Sequence, residues 1–162
     1  MKHSSLCIAS IAVASCCMAA SSAVGDIIEF DFQIDESQVV PPTGSPGTGS
    51  GFVTFDTDLS ELMWEISWEG LLGDVIAMHF HGPAPPGMNA GIELPIPGLE
   101  SPSIGSAIIT PVQAADLLAG LWYVNIHTTR FPGGEIRGQV VPAPGALALL
   151  ALGALSQRRR RR

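Results

Sequence analysis

The chain has 162 residues, 15 of them acidic against 8 lysines and arginines, and a formal net charge of −7. That length suits a single domain once the ends are set aside. All 15 acids fall between Asp26 and Glu135, and Arg130 and Arg137 are the two cations of residues 24–141; that central region, at 2 − 15 = −13, therefore excludes nucleic acid and anionic membrane surfaces as partners.

At the amino end, Lys2 and His3 precede an apolar run from Leu6 to Ala14 and small residues up to Ser21-Ser22-Ala23. This is the pattern of a secretory signal peptide, residues 1–23, cleaved after Ala23. An alternative is lipoprotein processing at Val13-Ala14-Ser15-Cys16, which would leave a lipidated Cys16. The three cysteines, Cys7, Cys16 and Cys17, all lie in this leader. The domain that follows, residues 24–141, then has no thiol, and its stability must come from its core or from a metal.

Ile28, Phe30, Phe32 and Ile34 alternate with Glu29, Asp31 and Gln33, a period of two that predicts a half-buried strand. Pro41 to Ser50 reads as a loop rich in turn residues. Phe52 to Phe55 reads as a second strand, and Asp56-Thr57-Asp58-Leu59-Ser60 as the turn to a third. The Asp-x-Asp-x-Ser spacing invites a calcium reading, but an EF-type loop needs glycine at its sixth position and glutamate at its twelfth, where this chain has Glu61 and Ser67. A hairpin turn is expected instead. In the third strand Leu62, Trp64, Ile66 and Trp68 share a face, which places the tryptophans in the core rather than on a sugar-stacking platform.

The fourth strand, Val75 to His81, ends in Met78-His79-Phe80-His81. Positions i and i+2 of a strand share a face, so His79 and His81 project together. Prolines 83, 85 and 86 then force a loop. Short strands are expected at Ile92 to Leu94 and Ile104 to Thr110. One helix, Pro111 to Ala119, is marked by Thr110 as N-cap, Pro111 at its first position, Gln113 completing a capping box and Gly120 after its last turn. Two last strands, Trp122 to Thr128 and Glu135 to Val141, flank Thr129 to Gly134. About eight short strands with one short helix predict an all-β fold, an antiparallel Greek-key sandwich or barrel.

His127 closes the strand after the helix. If it meets His79 and His81, three neutral imidazoles become available to one Cu or Zn ion. Glu135 and Arg137 share a strand face and read as a surface ion pair worth under about 1 kcal/mol. Nothing resembles a nucleophile with its base, a phosphate loop or a carboxylate pair placed for acid-base work, so no catalytic residue is assigned.

Residues 142–162 combine a Pro-Ala-Pro motif, the apolar run Ala146 to Leu155 and five terminal arginines, Arg158 to Arg162. The combination resembles the PEP-CTERM sorting signal of Gram-negative bacteria, with Pro-Ala-Pro where that family has Pro-Glu-Pro. The resemblance implies an exosortase-type processing enzyme as partner and a destination at the cell surface or in an extracellular matrix.

The motifs Gln38-Val39-Val40-Pro41-Pro42, Ala77-Met78-His79-Phe80-His81-Gly82-Pro83-Ala84, Asp116 to Thr128 and Pro132-Gly133-Gly134-Glu135-Ile136-Arg137-Gly138-Gln139 occur in an order that resembles the CHRD domain over about residues 30 to 141. That resemblance implies a β-rich extracellular domain with no established general activity, a binding or structural module. A partial resemblance to the copper-zinc superoxide dismutase fold matches His79, His81 and His127 to three copper ligands and Arg137 to the anion-guiding arginine. The zinc ligands and the disulfide of that family have no counterpart here.

Overall fold

The computed structural model describes residues 26–142; the signal-peptide reading and the sorting segment from residue 143 onward lie outside the described residues. Strand β1 (Ile27–Asp35) follows the alternation of its sequence, with Ile28, Phe30, Phe32 and Ile34 buried and Glu29, Asp31 and Gln33 facing water. A 3-10 turn, Glu36–Gln38, is capped by Asp35, whose carboxylate accepts from the Ser37 amide at 2.9 Å.

Strand β2 (Thr48–Asp56) starts four residues before the expected Phe52, inside the stretch read as loop. The reason is steric. A Cβ on Gly51 would run into the Phe32 ring, and one on Gly49 into the Ser67 carbonyl, so these glycines permit close packing inside a strand instead of making a turn. The hairpin to β3 (Glu61–Glu69) closes as expected. Asp56 Oδ1 accepts from the Asp58 and Leu59 amides at 2.8 and 2.9 Å, and Ser60 takes a φ of 56°.

Strand β4 (Val75–His81) has its expected bounds, while β5 (Ile92–Pro95), β6 (Ser103–Ile108), α1 (Pro111–Leu118), β7 (Trp122–Thr128) and β8 (Ile136–Val140) differ from expectation by at most two residues at an end. The helix carries the full capping box, with Thr110 Oγ1 accepting from the Gln113 amide at 3.3 Å and Gln113 Oε1 accepting from the Thr110 amide at 3.0 Å. That reciprocal pair satisfies two donors a helix start leaves free.

All eight strands belong to one antiparallel sheet in the order β5-β4-β7-β8-β1-β2-β3-β6, curled into a half-barrel rather than divided into two packed layers. Its inner face holds the core, including Phe30, Trp64, Phe80, Trp122, Ile126 and Ile136. Trp64 meets Phe80 edge to face at 5.7 Å, so the core reading of that tryptophan holds. Trp68, near the end of β3, is partly buried against the same cluster.

Candidate metal centre

Strand register decides which histidines meet. In the β4–β7 ladder His79 lies opposite Asn125, His81 opposite Tyr123 and His127 opposite Ala77. Partners in a ladder share a face, so all three histidines leave the sheet on its outer side, while Met78, Phe80, Val124 and Ile126 fill the inner side. The ring centroids of His79 lie 5.4 Å from those of His81 and 5.0 Å from those of His127. One ring nitrogen from each residue lies within 4.8 Å of the other two. The structure therefore brings together all three candidate ligands.

The hydrogen bonds around the rings fix which nitrogen each presents. His81 Nδ1 is 3.1 Å from the Ala90 carbonyl, and His127 Nδ1 is 2.9 Å from the Pro132 carbonyl. A carbonyl oxygen only accepts, so each Nδ1 carries the proton and each Nε2 keeps its lone pair. Those two Nε2 atoms, together with His79 Nδ1, are buried and have no hydrogen-bond partner among the described residues. An unpartnered buried polar atom costs free energy, and three ring nitrogens concentrated in one place are a ligand set of the chemistry that suits a transition metal. Backbone carbonyls are among the outer contacts that orient histidines in metal sites.

Electrostatics favour the same neutral state. Burial lowers the pKa of His79, and so does the charge His127 would carry beside it. Burial also lowers that of His81, opposed by its bond to Ala90 and reinforced by His127 and His79. Unprotonated imidazole is the form that binds metal.

Arg137 and Glu135 do not form the expected surface pair. Both are buried, at 2% and 0% exposure. Arg137 donates to Met88 O at 2.9 Å, Asn89 Oδ1 at 3.3 Å and Gln139 Oε1 at 3.1 Å, and its guanidinium lies 3.4 Å over the Tyr123 ring. Glu135 accepts from Ser45 Oγ, Thr128 Oγ1 and the Leu72 amide, each at 2.6 Å. Burial raises its pKa, but these donors outweigh that effect and leave it lowered. The segment after β4 covers this outer face, since Gln139 Nε2 donates to Ala84 O at 3.0 Å and the Ala90 amide donates to Tyr123 Oη at 3.0 Å. With the loop on top of it, the Arg137 guanidinium spends its donors on protein oxygens.

Two neighbours of the trio escaped the sequence reading. Tyr123 stacks on His81 with centroids 5.1 Å apart and planes 9° from parallel. Asn125, 7% exposed, donates to Gly133 O at 3.1 Å and leaves its Oδ1 without a partner. Their signal was available: Tyr123, Asn125 and His127 are alternate residues, so they form a polar row on the outer face of a strand whose other side is apolar.

No curated protein and no solved structure matches the chain. The CHRD domain model matches residues 30–140, which takes in the whole histidine cluster and all the strands but the first three residues of β1, and on that match the chain belongs to the CHRD domain family.

Proposed function

We propose that this chain is an exported CHRD-domain module that binds one transition-metal ion, copper or zinc, through His79 Nδ1, His81 Nε2 and His127 Nε2. One observation carries the reading: three buried, unpartnered ring nitrogens lie together, two of them oriented by backbone carbonyls. Metal-nitrogen bonds of about 2.0–2.1 Å put ligand atoms roughly 3.4 Å apart in a tetrahedral site, a spacing within reach of nitrogens that lie within 4.8 Å of one another. Export, display at the cell surface or in a matrix, and processing by an exosortase-type enzyme rest on the patterns of the two ends. The deep acidity of the domain supports a destination away from nucleic acid. No catalytic residue is assigned.

The test is elemental analysis of protein purified without an affinity tag, followed by titration with Cu(II) and Zn(II). Stoichiometric binding that raises the melting temperature, and is lost in both His79→Ala and His127→Ala, is the expected result. Equal weak binding in all three proteins would return the histidines to a structural role.

A further inference from the structure

Resting on that metal site, we propose that the trio is a copper site biased toward Cu(I), and that the buried Arg137 cation, packed on Tyr123, supplies the bias by its charge. β7 lies between β4 and β8, so Tyr123 has His81 on one side and Arg137 on the other. The guanidinium is 3.4 Å from the tyrosine ring centroid, and the His81 ring centroid is 5.1 Å from that same centroid. The tyrosine hydroxyl accepts from the Ala90 amide and lies 3.4 Å from the Ala90 carbonyl, the group that orients His81. Tyr123 therefore holds His81 both by ring stacking and by fixing its anchor. It is a positioning residue.

The charge argument is independent of that geometry. The three acceptors of Arg137 are two carboxamide oxygens and a backbone carbonyl, all neutral, so its positive charge is solvated by dipoles and not cancelled by a contacting carboxylate. Three bonds and 2% exposure keep it from swinging into water. Screening between buried charges is weak. The proposed ligands are neutral imidazoles that offset none of the ion's charge, so a bound dication faces the guanidinium with its full +2. A bound monocation faces it with half as much. Cu(I), which accepts three nitrogen donors, is therefore favoured over both Cu(II) and Zn(II), relative to the same three histidines without the cation.

The experiment measures Cu(I), Cu(II) and Zn(II) affinities of the full chain by competition with chelators, Cu(I) under anaerobic conditions. Two variants remove the bias differently. Arg137→Gln deletes the charge, and Asn89→Asp places a carboxylate against the guanidinium at an exposed position, giving up the bond from Asn89 Nδ2 to the Val40 carbonyl. In both, the Cu(I):Cu(II) affinity ratio is expected to fall about tenfold, equivalent to ~59 mV for one electron, with Zn(II) binding tighter. A merely structural role for Arg137 weakens all three ions together. An unchanged ratio in Asn89→Asp, or parallel weakening in both variants, overturns the proposal while leaving the metal site intact. Failure of the wild type to bind any of the ions overturns both readings.

Discussion

His81 and His127 pair with different residues along the β4–β7 ladder, Tyr123 and Ala77, yet their ring centroids stand 5.6 Å apart. They reach toward each other over the position where His79 faces Asn125. Convergence of this kind needs rings held at both ends, and the Ala90 and Pro132 carbonyls do that.

The first prediction follows from the lowered pKa values of His79 and His81. Above the unfolded value of about 6.5 both rings are neutral folded and unfolded, and stability is complete. As pH falls through that value, the unfolded chain takes up protons that the folded site resists, so stability is lost on acidification. Glu135, also lowered, adds a separate loss below about 4.5, its ordinary range. Urea midpoints of metal-free wild type, referred to those of a His79→Gln, His81→Gln double variant, should drop between about pH 7 and 5. Using the difference cancels the relief of repulsion among the acidic residues. A difference that grows with acidification would refute the burial argument.

The second prediction concerns the core. Trp64 is 3% exposed, lies edge to face on Phe80, and passes so close to Gly105 that a Cβ there would meet its Cζ2 at 2.5 Å. Trp64→Ala should cost about 3–5 kcal/mol in denaturant unfolding. Gly105→Ala should also destabilise, because the ring has no room to yield. Unchanged melting in both would mean that β3 buries its other face.

Much of this fold was legible because apolar alternation states which face of a strand is buried, and the capping box states where the helix starts. The histidine pair was legible for the same reason. What stayed hidden depends on partners distant in sequence. Gly49 and Gly51 look like turn residues until Phe32 and the Ser67 carbonyl are placed over them. Glu135 and Arg137 look like surface charges until loops bring Ser45, Leu72, Met88 and Asn89 to them. The anchors of His81 and His127 are backbone carbonyls, which no side-chain pattern reports.

Glu135 supplies the third prediction. Its carboxylate ties the segment before β2, the turn before β4 and the end of β7 together through Ser45, Leu72 and Thr128. Hydrogen bonds to a charged group contribute about 1.5–3 kcal/mol each, and stranding their buried partners adds to the loss. Glu135→Ala, which removes all three, should therefore destabilise by about 4.5 kcal/mol or more. Glu135→Gln should lose less but still be destabilised: its one oxygen can keep the Ser45 and Leu72 donors, but its NH2 then faces the Thr128 hydroxyl, which loses its acceptor, and the charge is gone. A Glu135→Gln protein as stable as wild type in urea would show that the charge contributes nothing.

The last prediction separates the loop that orients His127 from the loop's mere presence. Gly134 has a φ of 119°, and a Cβ there would overlap the Asn125 carboxamide, whereas a Cβ on neighbouring Gly133 meets nothing within 4 Å. Its amide donates to the Phe131 carbonyl at 3.0 Å, which closes the turn that presents the Pro132 carbonyl to His127 and the Gly133 carbonyl to Asn125. Forcing an alanine into that backbone region costs about 1–3 kcal/mol, and the turn must shift to clear Asn125. Gly134→Ala should lower the melting temperature and, by releasing the His127 tautomer, weaken Zn(II) and Cu(II) binding about 10–100-fold, the range seen when an outer partner of a metal ligand is lost. Gly133→Ala should leave stability within about 0.5 kcal/mol and metal affinity unchanged. Wild-type metal affinity in a destabilised Gly134→Ala protein would show that the Pro132 carbonyl does not govern how His127 presents its Nε2.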